Sequence, residues 1–271
     1  MSASKPVPDT LAKENVHERD QYIIFDEGPH IYTVNGLLGY TSVTTWNHRH
    51  FSAFDPDKIA TNIVNGKRVH SDPNYKYYGM TKDEIVTMWR KNGDSASTKG
   101  TQLHYDIECF YNNWAVDNDS IEYQYFQNFV KDYPNLKPYR TEWMVYYEEL
   151  KMSGSIDMVF ENEKGEFLIY DWKRCNEIPH ECPYGKFAVT PCISHLPDTK
   201  FWHYALQLNI YKMFLEHKYD KKVVGMFLIC LHPDNPYKNY ERIEVPIMEK
   251  EIKDLYNIRV KEAELVQLRY A

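Results

Sequence analysis

Residues 153–174 read SGSIDMVFENEKGEFLIYDWKR, and this stretch decides the fold. Two runs rich in β-branched and aromatic residues, SGSIDMVFE and EFLIYDWKR, flank the polar, glycine-containing ENEKGE, which predicts two antiparallel strands joined by a turn. Asp171 and Lys173 are two apart, so on a strand they project from one face and Trp172 from the other. Asp157, fourteen residues before Asp171, can then be presented beside them by the partner strand. Two carboxylates converging at a strand end suit a hard divalent cation such as Mg²⁺ or Mn²⁺. A lysine next to them can stabilise charge developing on a scissile phosphate. An Asp and a Lys at this spacing are common as a solvated ion pair worth little, so the trio takes its meaning from its surroundings.

Upstream, TEWMVYYE adds a third strand to the meander, and a helix is expected over STKGTQLHYDIECFYNNW, capped by Ser97 or Thr98. His104 and Glu108 are four apart on that helix and share a face. Downstream, FWHYALQLNIYKMFLEHKY reads as an amphipathic helix on which Gln207 and Tyr211 also share a face. KVVGMFLICLH suits a buried strand, YERIEVPI an edge strand, and a last helix is expected from about 247 to 268. The central order of helix, three strands, helix and strand predicts an α/β sandwich.

The ordered set GTQLH, Glu142 in TEW, GSID, DWK and QLNIY, spanning about 100 to 211, resembles the RecB-like branch of the PD-(D/E)XK nucleases. The resemblance implies a restriction-endonuclease-like core, a central mixed sheet flanked by helices, and metal-dependent cleavage of phosphodiester bonds. It implies that His104, Asp157, Asp171 and the Trp172 carbonyl surround the metal, with Lys173 as catalytic lysine. Glu108 would hold metal-bound water, and Gln207 and Tyr211 would face the site. Glu142 fits the family position, yet a structural carboxylate would look the same in sequence. Only Cys230 lies beyond Tyr211, so no iron–sulfur cluster is expected, and Tyr170 stands where the superfamily name puts proline. A DNA exonuclease working on single-stranded or frayed ends in repair, recombination or replication is the expected activity. A structure-specific endonuclease and a non-catalytic nucleic-acid-binding protein stay open as alternatives.

The rest of the chain divides by composition. Residues 1–19 are polar with two prolines and are expected to be a flexible lead-in. Residues 20–96 carry a hairpin, QYIIF against HIYTV, then helical segments such as TKDEIVTMWRKN with Thr81 as N-cap, and are expected to form a subdomain before a nuclease core over 97–271. With 32 basic and 39 acidic residues the net charge is −7, so nucleic-acid contacts must be local. Lys67, Arg68, Lys91, Lys99, Lys137, Arg140 and Arg174 are the cationic candidates, with Trp89 and Tyr78 as stacking groups. The long loop after Lys173 holds Cys175, His180, Cys182, Cys192 and His195, whose spacing matches no standard zinc finger; isolated thiols are favoured over a zinc-stapled loop. The odd count of five cysteines points to a reducing intracellular compartment, and no run is long and apolar enough to span a membrane.

Overall fold

A computed structural model of the protein describes residues 6–270. They divide into two compact units, one comprising the residues up to Ser52 and from Leu103 onward, the other Ala53–Gln102.

The first unit is built on a mixed sheet. Its strands are β3 (Thr41–Ser42), β4 (Lys137–Tyr147), β5 (Met152–Glu161), β6 (Phe167–Lys173), β7 (Val223–Cys230) and β8 (Glu241–Glu244). β4, β5 and β6 form the expected antiparallel meander, β7 runs parallel to β6, and β8 pairs antiparallel with β7 at an edge. The parallel β6–β7 pair needs a crossover, supplied by the 174–199 loop and α7 (Lys200–Lys218). The two faces of the sheet bury different cores. One gathers Trp143, Ile156, Ile169 and Leu228 with Leu206, Ile210 and Phe214 of α7 and Ile252 and Leu255 of α8 (Glu249–Tyr270). The other packs Met158, Phe160, Tyr170, Trp172 and Ile229 against Leu103 and Ile107 of α5 (Lys82–Tyr111) and Phe126 and Phe129 of α6 (Ile121–Asp132). Phe126 and Phe129 meet Trp172 edge-on, a geometry that ring quadrupoles favour. The chain is therefore α/β, a mixed sheet with helices on both faces. α7 is not amphipathic as expected, because its buried residues run around the helix from Phe201 to Leu215.

Three expectations are corrected. Residues 6–19 are not a free lead-in; Met1–Lys5 lie outside the described residues. α1 (Thr10–Glu14) buries Leu11, whose N–H donates to Asn112 Oδ1 at 2.9 Å, and Asn15 Nδ2 donates to the Tyr139 carbonyl at 2.9 Å. Arg19 reaches the Tyr146 carbonyl and pairs with Glu148 at 2.7 Å. The segment thus clasps the edge strand β4, whose main-chain groups would otherwise stand open to another chain. Its hold comes from hydrogen bonds across a hundred residues, which a local composition argument cannot detect.

Secondly, the boundaries 20–96 and 97–271 do not divide the chain. The hairpin β1 (Ile23–Asp26) and β2 (Ile31–Val34), with α2 (Val43–His48) capped by Ser42, belongs to the first unit, where Tyr32 and Val34 pack on Tyr146. Thirdly, no new helix begins at Ser97 or Thr98. α5 runs unbroken through Gly93 and Gly100, starting at a capping box in which Thr81 Oγ1 accepts from Glu84 N–H and Glu84 accepts from Thr81 N–H at 2.8 Å.

The second unit holds α3 (Pro56–Val64), α4 (Arg68–Ser71) and the first part of α5. Its aromatic nucleus sets Trp89 beside Phe54 and Tyr77, with the Trp89 indole donating to the Tyr77 hydroxyl at 3.1 Å.

Candidate metal centre

The sheet register brings three carboxylates into one row. β4 and β5 pair Trp143 with Ile156 and Thr141 with Met158, which leaves Glu142 abreast of Asp157. β5 and β6 pair only from Met158–Tyr170 to Glu161–Phe167, so the strands part at the point where Asp157 and Asp171 would be the next pair. Asp157 fills that gap: its Oδ2 accepts the Trp172 N–H at 3.0 Å, doing for β6 what the β5 main chain does elsewhere. The ribbon of β5 also turns over here. Ile156 lies in one core and Met158, two residues on, in the opposite one, although alternate residues of a regular strand share a face. The irregularity is matched across the ladder by Glu142, whose φ of +42° is left-handed in the middle of a strand. A non-glycine residue held there costs on the order of 1–3 kcal/mol, which the surrounding sheet must offset.

His104 comes from α5. Its Nδ1 lies 3.4 Å from Asp157 Oδ2 and 3.9 Å from Glu142 Oε1, and Ser155 Oγ holds the other Glu142 oxygen at 2.9 Å. His104, Glu142 and Asp157 each offer a ligand atom within 4.8 Å of the others. Donors about 2.1 Å from an octahedral cation are separated by about 3.0 Å when adjacent and about 4.2 Å when opposite. His104 Nδ1 and Asp157 Oδ2, 3.4 Å apart, lie near the adjacent spacing, and with Glu142 they form a group that could hold a divalent cation.

Asp171 stands apart from that group, its Oδ2 drawn to Lys173 Nζ at 2.6 Å. The lysine ammonium also lies over the Tyr204 ring, 4.4 Å from its centroid. Of the four ligands implied by resemblance, the structure gathers His104 and Asp157 together with Glu142. It sets Asp171 on the lysine and shows the Trp172 main chain donating to Asp157. Glu142, ambiguous in sequence, is the residue whose place had to wait for the register.

Burial and crowding set the charge states. Burial alone would lower the His104 imidazole, but Asp157 and Glu142 outweigh it and raise its pKa to about 9. Burial raises Asp157 against the pull of His104, and raises Asp171 to about 6 against Lys173 with Asp157 adding to the rise. For Lys173 burial is outweighed by Asp171 and Asp157, which shift the ammonium upward. Glu108, a turn beyond His104 on α5, is pushed up to about 8 by burial and then by Glu142, with His104 opposing. Several carboxylates share too little positive charge, and a dication would relieve this.

Gln207 and Tyr211 share the predicted helical face, and burial raises the Tyr211 phenol well above its ordinary pKa, with the Gln207 amide opposing. The phenol lies flat against Gly154: a Cβ there would sit 2.6 Å from Tyr211 Oη and 2.7 Å from Cε1. This gives a steric reason for the glycine of GSID. Gly154→Ala is expected to displace Tyr211, lowering stability by about 1–3 kcal/mol. Chemical denaturation checks this, and Gly154→Ala combined with Tyr211→Phe should remain destabilised because the ring carbon clashes too.

The remaining candidates are dispersed. Arg174 pairs with Glu122 at 2.7 Å with both side chains about nine-tenths buried, so its charge is committed inside the fold. Arg140 is likewise buried against Asp20 at 2.7 Å. Tyr78 (47% exposed), Trp89 and the exposed Lys99 belong to the second unit. The loop cysteines and histidines form no metal group among the described residues: His180 stacks on Phe201, and His195 meets Glu251 at 3.1 Å. Among the described residues no helix is long and apolar enough to cross a membrane. The chain matches no protein-family model and no characterised protein.

Proposed function

We propose that the chain is a divalent-metal-dependent nuclease with a restriction-endonuclease-like core of the RecB-like kind, a DNA exonuclease working on single-stranded or frayed ends in repair, recombination or replication. The observation that carries this reading is the His104–Glu142–Asp157 group set beside the buried Asp171–Lys173 pair. A bound Mg²⁺ or Mn²⁺, held by His104, Glu142 and Asp157, would supply a more acidic water and neutralise phosphate charge. The chain's own groups do the rest. Lys173, kept as an ammonium by Asp171, offers positive charge where a scissile phosphate gains negative charge. Glu108, with a carboxyl that titrates near neutrality, can take or release a proton beside His104. Tyr211 keeps its phenolic proton and, with Gln207, can hold a phosphate oxygen. Lys99 and Tyr78 are the proposed backbone and stacking contacts. The setting is intracellular, where the ambient redox balance keeps cysteine thiols mainly reduced.

End-labelled linear single-stranded DNA, duplex DNA and closed single-stranded circles, each with Mn²⁺, Mg²⁺ or EDTA, test the reading. Linear single strands should shorten from an end, circles should resist, and EDTA should stop the reaction. Cut circles would overturn the exonuclease assignment, and intact DNA throughout would overturn the nuclease.

A further inference from the structure

Two thiols meet at the carboxyl ends of β6 and β7. Cys175 lies two residues beyond Lys173, and Cys230 ends β7, where it is paired in register with Lys173. Their Sγ atoms are 3.8 Å apart, and Cys230 Sγ also donates to the Cys175 carbonyl. Both cysteines are free; Cys230 is buried, while Cys175 is partly open to solvent. The strand ends around them are fixed, since the Leu231 N–H donates to the Lys173 carbonyl at 2.8 Å and Arg174 is clamped by Glu122. Closing the sulfurs to the roughly 2.05 Å of a disulfide needs a side-chain rotation and a small shift of the chain after Lys173. Cys182 and Cys192 have no thiol partner in contact among the described residues.

We propose that Cys175 and Cys230 are a reversible thiol–disulfide pair that staples the ends of β6 and β7 beside Lys173 under oxidation by hydrogen peroxide. The Cys175 thiolate attacks the peroxide oxygen, giving a sulfenic acid and releasing water; Cys230 sulfur then displaces a second water from it to form the S–S bond. Two thiols lose two electrons and two protons, and one peroxide becomes two waters. A dithiol reverses the step by exchange. Cys175 is suited to attack first, being the more accessible thiol, and its contact with Cys230 lowers its pKa against the effect of burial.

The full chain, treated with hydrogen peroxide and then alkylated, should yield a cross-linked 175–230 peptide by mass spectrometry. Its melting temperature should rise by about 5 °C, since the bridge closes a loop spanning 55 residues of sequence separation, and dithiothreitol should return it. Cys175→Ser should fold normally and show neither change, and Cys230→Ala serves as a second control. Alkylation of both thiols after oxidation, or a melting point that does not move, overturns the pair. Because the bond tugs the chain at Lys173, DNA cleavage by the reduced protein should fall at least about tenfold on oxidation and recover with dithiothreitol. Equal cleavage by both forms overturns the control of the site. That arm rests on the proposed function: absence of cleavage in the reduced protein counts against the nuclease, while the cross-link still decides the thiol pair.

Discussion

Lys173→Ala is expected to lower metal-supported DNA cleavage by about 10²–10³-fold, the scale on which one preorganised charge at a reacting oxygen contributes. The side chain is only 17% exposed and its ammonium touches Asp171 at 2.6 Å, so the substitution also strands a buried carboxylate. Stranding one partner of a buried pair costs about 3–5 kcal/mol when the remaining group stays charged. Asp171 has an escape, because burial already holds its pKa up at about 6 and losing the lysine moves it further upward. A carboxyl whose folded pKa is raised above its unfolded value of about 3.9 stabilises the fold at low pH, and that contribution is lost as pH rises through the folded pKa. Lys173→Ala should therefore be least stable near pH 8 and recover part of the loss near pH 5. Denaturation at the two pH values, beside cleavage of labelled single strands, separates the chemical loss from the structural one. Cleavage at the parent rate by a folded Lys173→Ala protein would remove the lysine from the mechanism.

Asp157→Asn should act in opposite directions with and without metal. The amide carbonyl can still accept the Trp172 N–H, which Asp157 Oδ2 accepts at 3.0 Å in the parent, so the gap between β5 and β6 stays bridged. One desolvated negative charge disappears from the row of three, so the metal-free protein should melt at the same temperature or higher. The parent protein should gain about 2.7 kcal/mol at Mn²⁺ a hundredfold above its dissociation constant, roughly 5–10 °C for a chain of this size. That gain should vanish in Asp157→Asn, and the His104 imidazole should titrate below its value of about 9 because its main support is gone. Thermal scans with Mn²⁺ and EDTA read the first effect and proton NMR of the imidazole the second. A full Mn²⁺ shift in Asp157→Asn would move the metal elsewhere.

The parts of this architecture that depend on short-range periodicity were open to reading from sequence. The meander from TEW to DWK, the shared face of Asp171 and Lys173 and the helical pairs His104–Glu108 and Gln207–Tyr211 follow from repeats of two and of about 3.6 residues. What was hidden depends on long-range register or on solvation. Glu142 takes its place only because its backbone is left-handed and β5 turns over beside it, and neither departure leaves a periodic trace. Arg174 reads as a surface cation until Glu122, 52 residues away in sequence, is seen against it. The helix through Gly93 and Gly100 runs against local propensity, on an exposed stretch that follows the capping box at Thr81. The amino-terminal clasp had two buried apolar residues, Pro8 and Leu11, to announce it.

The left-handed turn at Glu142 has a bearing on how this protein would respond to selection for robustness. A glycine there would relax the backbone at once, and a screen for heat resistance alone would favour it. The same exchange deletes an acid from the group with His104 and Asp157. Durability and chemistry are therefore opposed at a single codon, and lineages that retain the acid would be expected to carry compensating substitutions elsewhere in β4 and β5.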